Sequence, residues 1–171
     1  GDFVYSNKEI LLMKRDIQKA AEAGAKGVVF GCLDNKNGIA MENNELLLQF
    51  AKGLMLDTTF HRAIDFTANY QQAFQAVSKM GFKRVLTSGQ REFAEDGYEN
   101  LQLLLDDNTY QIEIMAGSGI KPSNVYLFKK LGLDAIHFSI RNKSKVNMVF
   151  SMGSANSVDE KKLKEIVQKN I

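Results

Sequence analysis

Apolar residues recur along the chain in two alternating rhythms. The first is a short run of aliphatic, aromatic and β-branched residues, found at Lys26–Cys32, Asp57–Arg62, Arg84–Ser88, Gln111–Ala116 and Asp134–Ile140. The second returns an apolar side chain every three or four positions, which lines one face of a helix. Ile10, Met13, Ile17, Ala20 and Ala21 follow this second rhythm. Ser6, with Glu9 three residues on, has the form of a capping box that opens this helix. Further helices are predicted over Asn43–Lys52, Asn69–Met80, Tyr98–Leu105, Ser123–Leu131 and Val158–Lys169.

Helix stops are expected at Gly24, Gly53, Gly81, Asn108 and Gly132, because Gly and Asn suit the left-handed residue that closes a helix. The stops lie 29, 28, 27 and 24 residues apart, the length of one strand plus one helix. Runs such as Val28-Val29-Phe30, apolar on both faces, predict a buried parallel sheet. Strict alternation of strand and helix predicts an α/β fold. An open doubly wound sheet and a (β/α)8 barrel both fit that description. The steady period, and the lack of a Gly-x-Gly-x-x-Gly fingerprint after any strand, favour the barrel. A complete barrel needs roughly 200 residues or more. The 171 residues are therefore expected to form one partial barrel domain, spanning 1–171, that lacks about three strands.

Composition changes this picture little. Hydrophobic residues at 44% and charged residues at 25% exclude a disordered or low-complexity chain. No apolar run approaches the roughly 18 residues that read as a membrane span, and the N-terminus lacks the form of a signal peptide. One cysteine, Cys32, cannot form an internal disulfide, so a reducing cytoplasm is the expected compartment. A net charge of +2 without a basic stripe excludes a nucleic-acid footprint. Lys161-Lys162-Leu163-Lys164 is flanked by Asp159, Glu160 and Glu165 and reads as a solvated helix face.

Candidate chemistry collects where α/β folds place it, at the carboxyl ends of the strands. His61, Arg62 and Asp65 follow the second run; Thr87, Ser88, Gly89 and Gln90 the third; Gly117, Ser118 and Gly119 the fourth; His137, Ser139 and Arg141 the fifth. Both histidines of the chain are in this set. An imidazole, a guanidinium and a carboxylate within His61–Asp65 suit anion binding with proton transfer, with His61, Asp65 and His137 as candidate catalytic groups. The alternative is that Arg62 and Asp65 pair with each other and brace the loop. Gly117-Ser118-Gly119 allows close backbone approach to an anion above a helix capped at Ser123 or Asn124, or it is a tight turn. Cys32 reads as a small buried hydrophobe and the seven methionines as core packing. No lysine ends a strand, which argues against a Schiff base. Arg84 and Glu113 are expected to pair inside the sheet.

Six segments together resemble the CutC copper homeostasis protein family: Gly1–Ser6, Gly27–Gly31, Thr59–Asp65, Arg84–Gln90, Ile114–Ile120 and His137–Ser139. The resemblance spans residues 1–153. It implies a (β/α)8 barrel, a cytoplasmic location, self-association into a homo-oligomer and a role in copper handling. It also implies that the chain holds barrel strands four to eight. Cysteines proposed as copper ligands in some family members have no counterpart at Cys32, so no metal ligand is assigned here. What carries over is a pocket of His61, Arg62, Asp65, Thr87, Ser88, Gly117, Ser118, Gly119, His137 and Ser139. Such a pocket also suits an enzyme acting on a small anionic or phosphorylated metabolite. A third reading has no chemistry: a partial domain that covers its open edges with other chains.

Overall fold

A computed structural model describes residues 2–143 and 156–170; Gly1 and residues 144–153 of the resembling span lie outside the described residues. Helix α1 (Asn7–Glu22) opens with the expected capping box, Ser6 accepting from the Glu9 backbone while the Glu9 carboxylate accepts from the Ser6 N–H. It leads into β1 (Gly27–Phe30), α2 (Met41–Gly53), β2 (Asp57–Phe60), a 3-10 helix (Arg62–Phe66) and α3 (Tyr70–Met80). Then follow β3 (Arg84–Thr87), α4 (Tyr98–Asp106), β4 (Glu113–Gly117), α5 (Val125–Leu131) and β5 (Ala135–His137). An antiparallel pair, β6 (Arg141–Lys143) with β7 (Asn156–Val158), precedes α6 (Glu160–Asn170). No described helix is long and apolar enough to cross a membrane.

Strands β1 to β5 form one parallel sheet in the order of the sequence, β1-β2-β3-β4-β5. A doubly wound sheet reverses direction partway. This order never does, so the open alternative is excluded and the winding is that of a barrel wall. Right-handed crossovers repeated in one direction put every connecting helix on the same side, and burial along the strands agrees. Phe30, Phe60, Val85 and Ile114 stand in register across four strands and are buried against the helices. The opposite face is open. Val29 on it is 60% exposed, which corrects the expectation of a sheet buried on both sides. Arg84 and Glu113 are paired neighbours on that face and form the predicted ion pair.

The core is built in two clusters. One joins α1, α2 and α3 to the first strands through Ile17, Leu47, Phe74, Phe60 and Val85. The other holds α5 and α6 to β4 through Ala116, Val125, Phe128 and Ile166. Three predicted stops have left-handed backbones, Gly24, Gly81 and Gly132 (φ 84°, 85° and 77°). Two do not. Gly53 is the last residue of α2, and the left-handed turn falls at Met55 (φ 58°). Asn108 instead uses its side chain, donating to the Ile112 carbonyl and accepting from the Ile112 N–H, while Gln111 takes the positive φ of 53°. The predicted strand Asp57–Arg62 ends early because His61 caps the 3-10 helix.

Candidate functional site

Parallel strands raise all their carboxyl ends on one side, so the candidate residues share one rim. At its centre Asp65 is almost fully buried and saturated with donors. It accepts from Arg62 Nε (2.8 Å), Thr87 Oγ1 (2.5 Å), Ser88 Oγ (3.0 Å) and the backbone N–H groups of Ser88 and Gln90 (3.0 and 3.1 Å). Arg62 also reaches Ser88 Oγ (2.6 Å) and the Arg91 carbonyl (3.1 Å). Thr87 is held on its other side by Tyr70 Oη at 2.6 Å. These bonds fix the β3 turn, in which Gly89 and Gln90 both have positive φ (69° and 59°). Arg62 and Asp65 therefore brace the loop, one of the two readings their spacing allowed. Thr87 and Ser88 are fully buried in this network and offer no surface to a ligand.

His61 is braced as well. Its Nδ1 accepts from the Ala63 N–H (3.3 Å), and its ring lies edge-on to Phe3 with centroids 4.9 Å apart. Burial lowers its pKa below the ordinary imidazole value and outweighs a hydrogen bond acting the other way. Partial burial thus favours the neutral form of the imidazole. Gly31 makes room for it, since a Cβ there would come within 2.9 Å of His61 Nδ1.

The loop after β4 is shaped by close packing. A Cβ on Gly117 would meet Leu86 at 2.6 Å, and one on Gly119 would meet the Phe93 ring at 2.7 Å. Gly119 also has φ 69°, and Ser118 has φ 89° with its Oγ donating to the Glu92 carbonyl (2.6 Å). Asn124 is the residue before α5, yet its side chain does not cap that helix. Its Oδ1 accepts from the Lys121 N–H (2.9 Å), and its Nδ2 donates to the Gly119 carbonyl (3.0 Å) and to Glu95 (2.7 Å). The loop is held by the amide side chain of the residue that precedes α5, so the expected helix start adjoins the loop, while that side chain serves the loop and not the helix.

Two cavities open at this rim and share Ser118 as a wall. One, of about 490 Å³, is lined by Arg62, Phe66, Arg91 and Phe93. The other, of about 250 Å³, is lined by Gly119, His137, Ser139 and Lys162. Lys162 escaped the sequence reading, which placed it on a solvated face. Its Nζ donates to the Ser139 carbonyl at 2.5 Å. The available signal was its place one helical turn before Ile166, which is fully buried. Asn44 was also missed. It is buried, accepts from the Cys32 N–H (2.9 Å) and donates to the Cys32 carbonyl (2.8 Å).

Cys32 is fully buried in the core, and burial pushes its thiol pKa up to about 12. A thiol in that state is a poor metal ligand, because the thiolate is the ligating form. Among the described residues no group of three or more His, Cys, Asp and Glu side chains converges as a metal site would require.

Comparison with known proteins places this geometry. The family model described as the CutC family matches residues 1–142. A family protein CutC of Bacteroides fragilis is 37% identical over 166 residues, covering 94% of this chain and 65% of the relative. One from Porphyromonas gingivalis is 40% identical over 166 residues, covering 94% and 66%. The chain thus spans just under two thirds of the length of these relatives. Among solved structures, a crystal structure of CutC from Streptococcus agalactiae, described as a candidate copper homeostasis protein, superposes with a TM-score of 0.73. The two are 30% identical, and the match covers 80% of this chain and 67% of that one.

Proposed function

The chain belongs to the CutC family, and from that premise we propose that it takes part in copper homeostasis in the cytoplasm as the strand four-to-eight portion of a (β/α)8 barrel. In this reading residues 1–171 are one partial barrel domain. The observation that carries the copper role is the superposition on the Streptococcus agalactiae protein described as a candidate copper homeostasis protein. The five-strand barrel wall supports it as well. Among the described residues the one cysteine is buried with its proton held, and no group of three His, Cys, Asp or Glu side chains converges. No copper step is therefore assigned to these residues. Deleting the gene should lower the copper tolerance of the cell, and the gene restored in trans should recover it. Unchanged tolerance would overturn the copper role. Titration of the chain with Cu(I) under reducing conditions should give the same curve for the parent and for Cys32→Ser. A curve that depends on Cys32 would make that thiol a ligand.

A second reading is favoured by the convergence of Lys162, His137 and Ser139 on one cavity. It makes the rim a binding site for a small anionic metabolite, and the protein a barrel enzyme acting on it. His61 is partly buried, with its Nδ1 taken by the Ala63 N–H, so His137, exposed at the end of β5, is the group placed to move a proton there. Inorganic phosphate added to the chain should perturb the His137 ring resonances in NMR spectra. Spectra unchanged by phosphate would overturn this reading.

A further inference from the structure

Helix α6 brings to the rim a cation, Lys162, whose donors loop bracing consumes only in part. The cavity beside Lys162 has no carboxylate in its wall. Among the described residues Lys162 has no carboxylate partner either. An ammonium carries three donors, and the Ser139 carbonyl takes one of them. His137 and Ser139 line the same space, and the Ser139 hydroxyl oxygen accepts from the Arg141 N–H at 3.3 Å, which leaves its O–H as a donor. An anion with several acceptor oxygens satisfies such a set of donors.

The neighbouring cavity has a different character. Its charges are balanced, with Arg62 held by Asp65 and Arg91 sharing the wall with Glu92. Its distinctive groups are two rings, Phe66 and Phe93, which are 59% and 43% exposed. Rings that line a cavity and keep part of their surface in solvent can pack against the flat apolar face of a ligand. Phe93 also lies so close to Gly119 that no side chain fits there, so the ring stands at the border of both cavities. A cationic space beside a charge-balanced aromatic one sorts a ligand into two parts.

We propose that the rim takes a small phosphate ester with a flat apolar body, with Lys162, His137 and Ser139 holding the phosphate and Phe93 packing against the body. The proposal rests on the second reading above and names its ligand class and its principal cation. Calorimetric titration of the 171-residue chain with inorganic phosphate and with phenyl phosphate tests it. Phenyl phosphate should bind about tenfold more tightly, the effect of one partly buried ring. Lys162→Gln should weaken both probes by about tenfold or more, the loss of one charge-assisted hydrogen bond, and Lys162→Arg should recover most of it. Phe93→Ala should leave inorganic phosphate unchanged and bring phenyl phosphate down to it. Thermal melts establish that each variant is folded. If Lys162→Gln binds phosphate as the parent does, the assignment of Lys162 falls while the anion reading stands. If the parent chain binds no phosphate, both fall. Equal affinity of the parent for the two probes overturns the placement of the body, and that comparison needs no variant.

Discussion

Burial of the His61 ring beneath Phe3 lowers its pKa from 6.5, so folding holds it neutral at a pH where the unfolded chain begins to protonate. Between the two pKa values the unfolded state binds more protons, so stability rises with pH across that interval. The contribution is complete above about pH 6.5, and it is lost as pH falls toward the lower folded value. The urea midpoint should therefore drop between pH 7 and pH 5, and His61→Asn, which keeps an acceptor for the Ala63 N–H, should flatten the drop. An equal slope in the variant would show that His61 is not the group responsible. The cluster His61, Arg62 and Asp65 is legible in the sequence as polar chemistry at a strand end. Its division of labour is not. Asp65 is saturated by donors from Arg62, Thr87, Ser88 and Gln90, and only the approach of β3 to the 3-10 helix decides that.

Among the secondary-structure elements, two glycines that look alike in sequence behave differently. Gly81 closes α3 with φ 85°, whereas Gly53 is still helical and an added Cβ there would meet nothing within 4 Å. Gly81→Ala should cost about 1 kcal/mol for placing an L side chain in the left-handed region. Gly53→Ala should be neutral or stabilise by up to about 0.5 kcal/mol, because alanine has less backbone freedom to lose. Urea denaturation of the two variants separates them, and equal effects would contradict the helix ends described above. Helix and strand identities were readable because period and capping are local. The 3-10 helix and the β6–β7 pair were not, since the first depends on a side-chain cap at His61 and the second joins segments 13 residues apart.

At the scale of the whole molecule, the five-stranded wall leaves β1 and β5 with unpaired edges among the described strands, and one sheet face open. Val29 is an apolar side chain on that face, next to the β1 edge. Exposed edges and apolar faces drive association, in line with the self-association that the family resemblance implies. Light scattering should show a mass that rises with concentration, and Val29→Lys should shift the distribution toward the monomer. A parent chain that stays monomeric at every concentration would overturn the self-association. The sequence by itself determined the α/β class, the repeat of one strand and one helix, the family resemblance and the rim on which polar residues gather. Each of these is written in local periodicity or in short contiguous segments. Only the tertiary structure decided the sequential strand order, which residues of the rim are spent on bracing it, and the arrival of Lys162 beside Ser139. Those outcomes join residues more than twenty positions apart, and no local pattern encodes which distant partner satisfies a given donor.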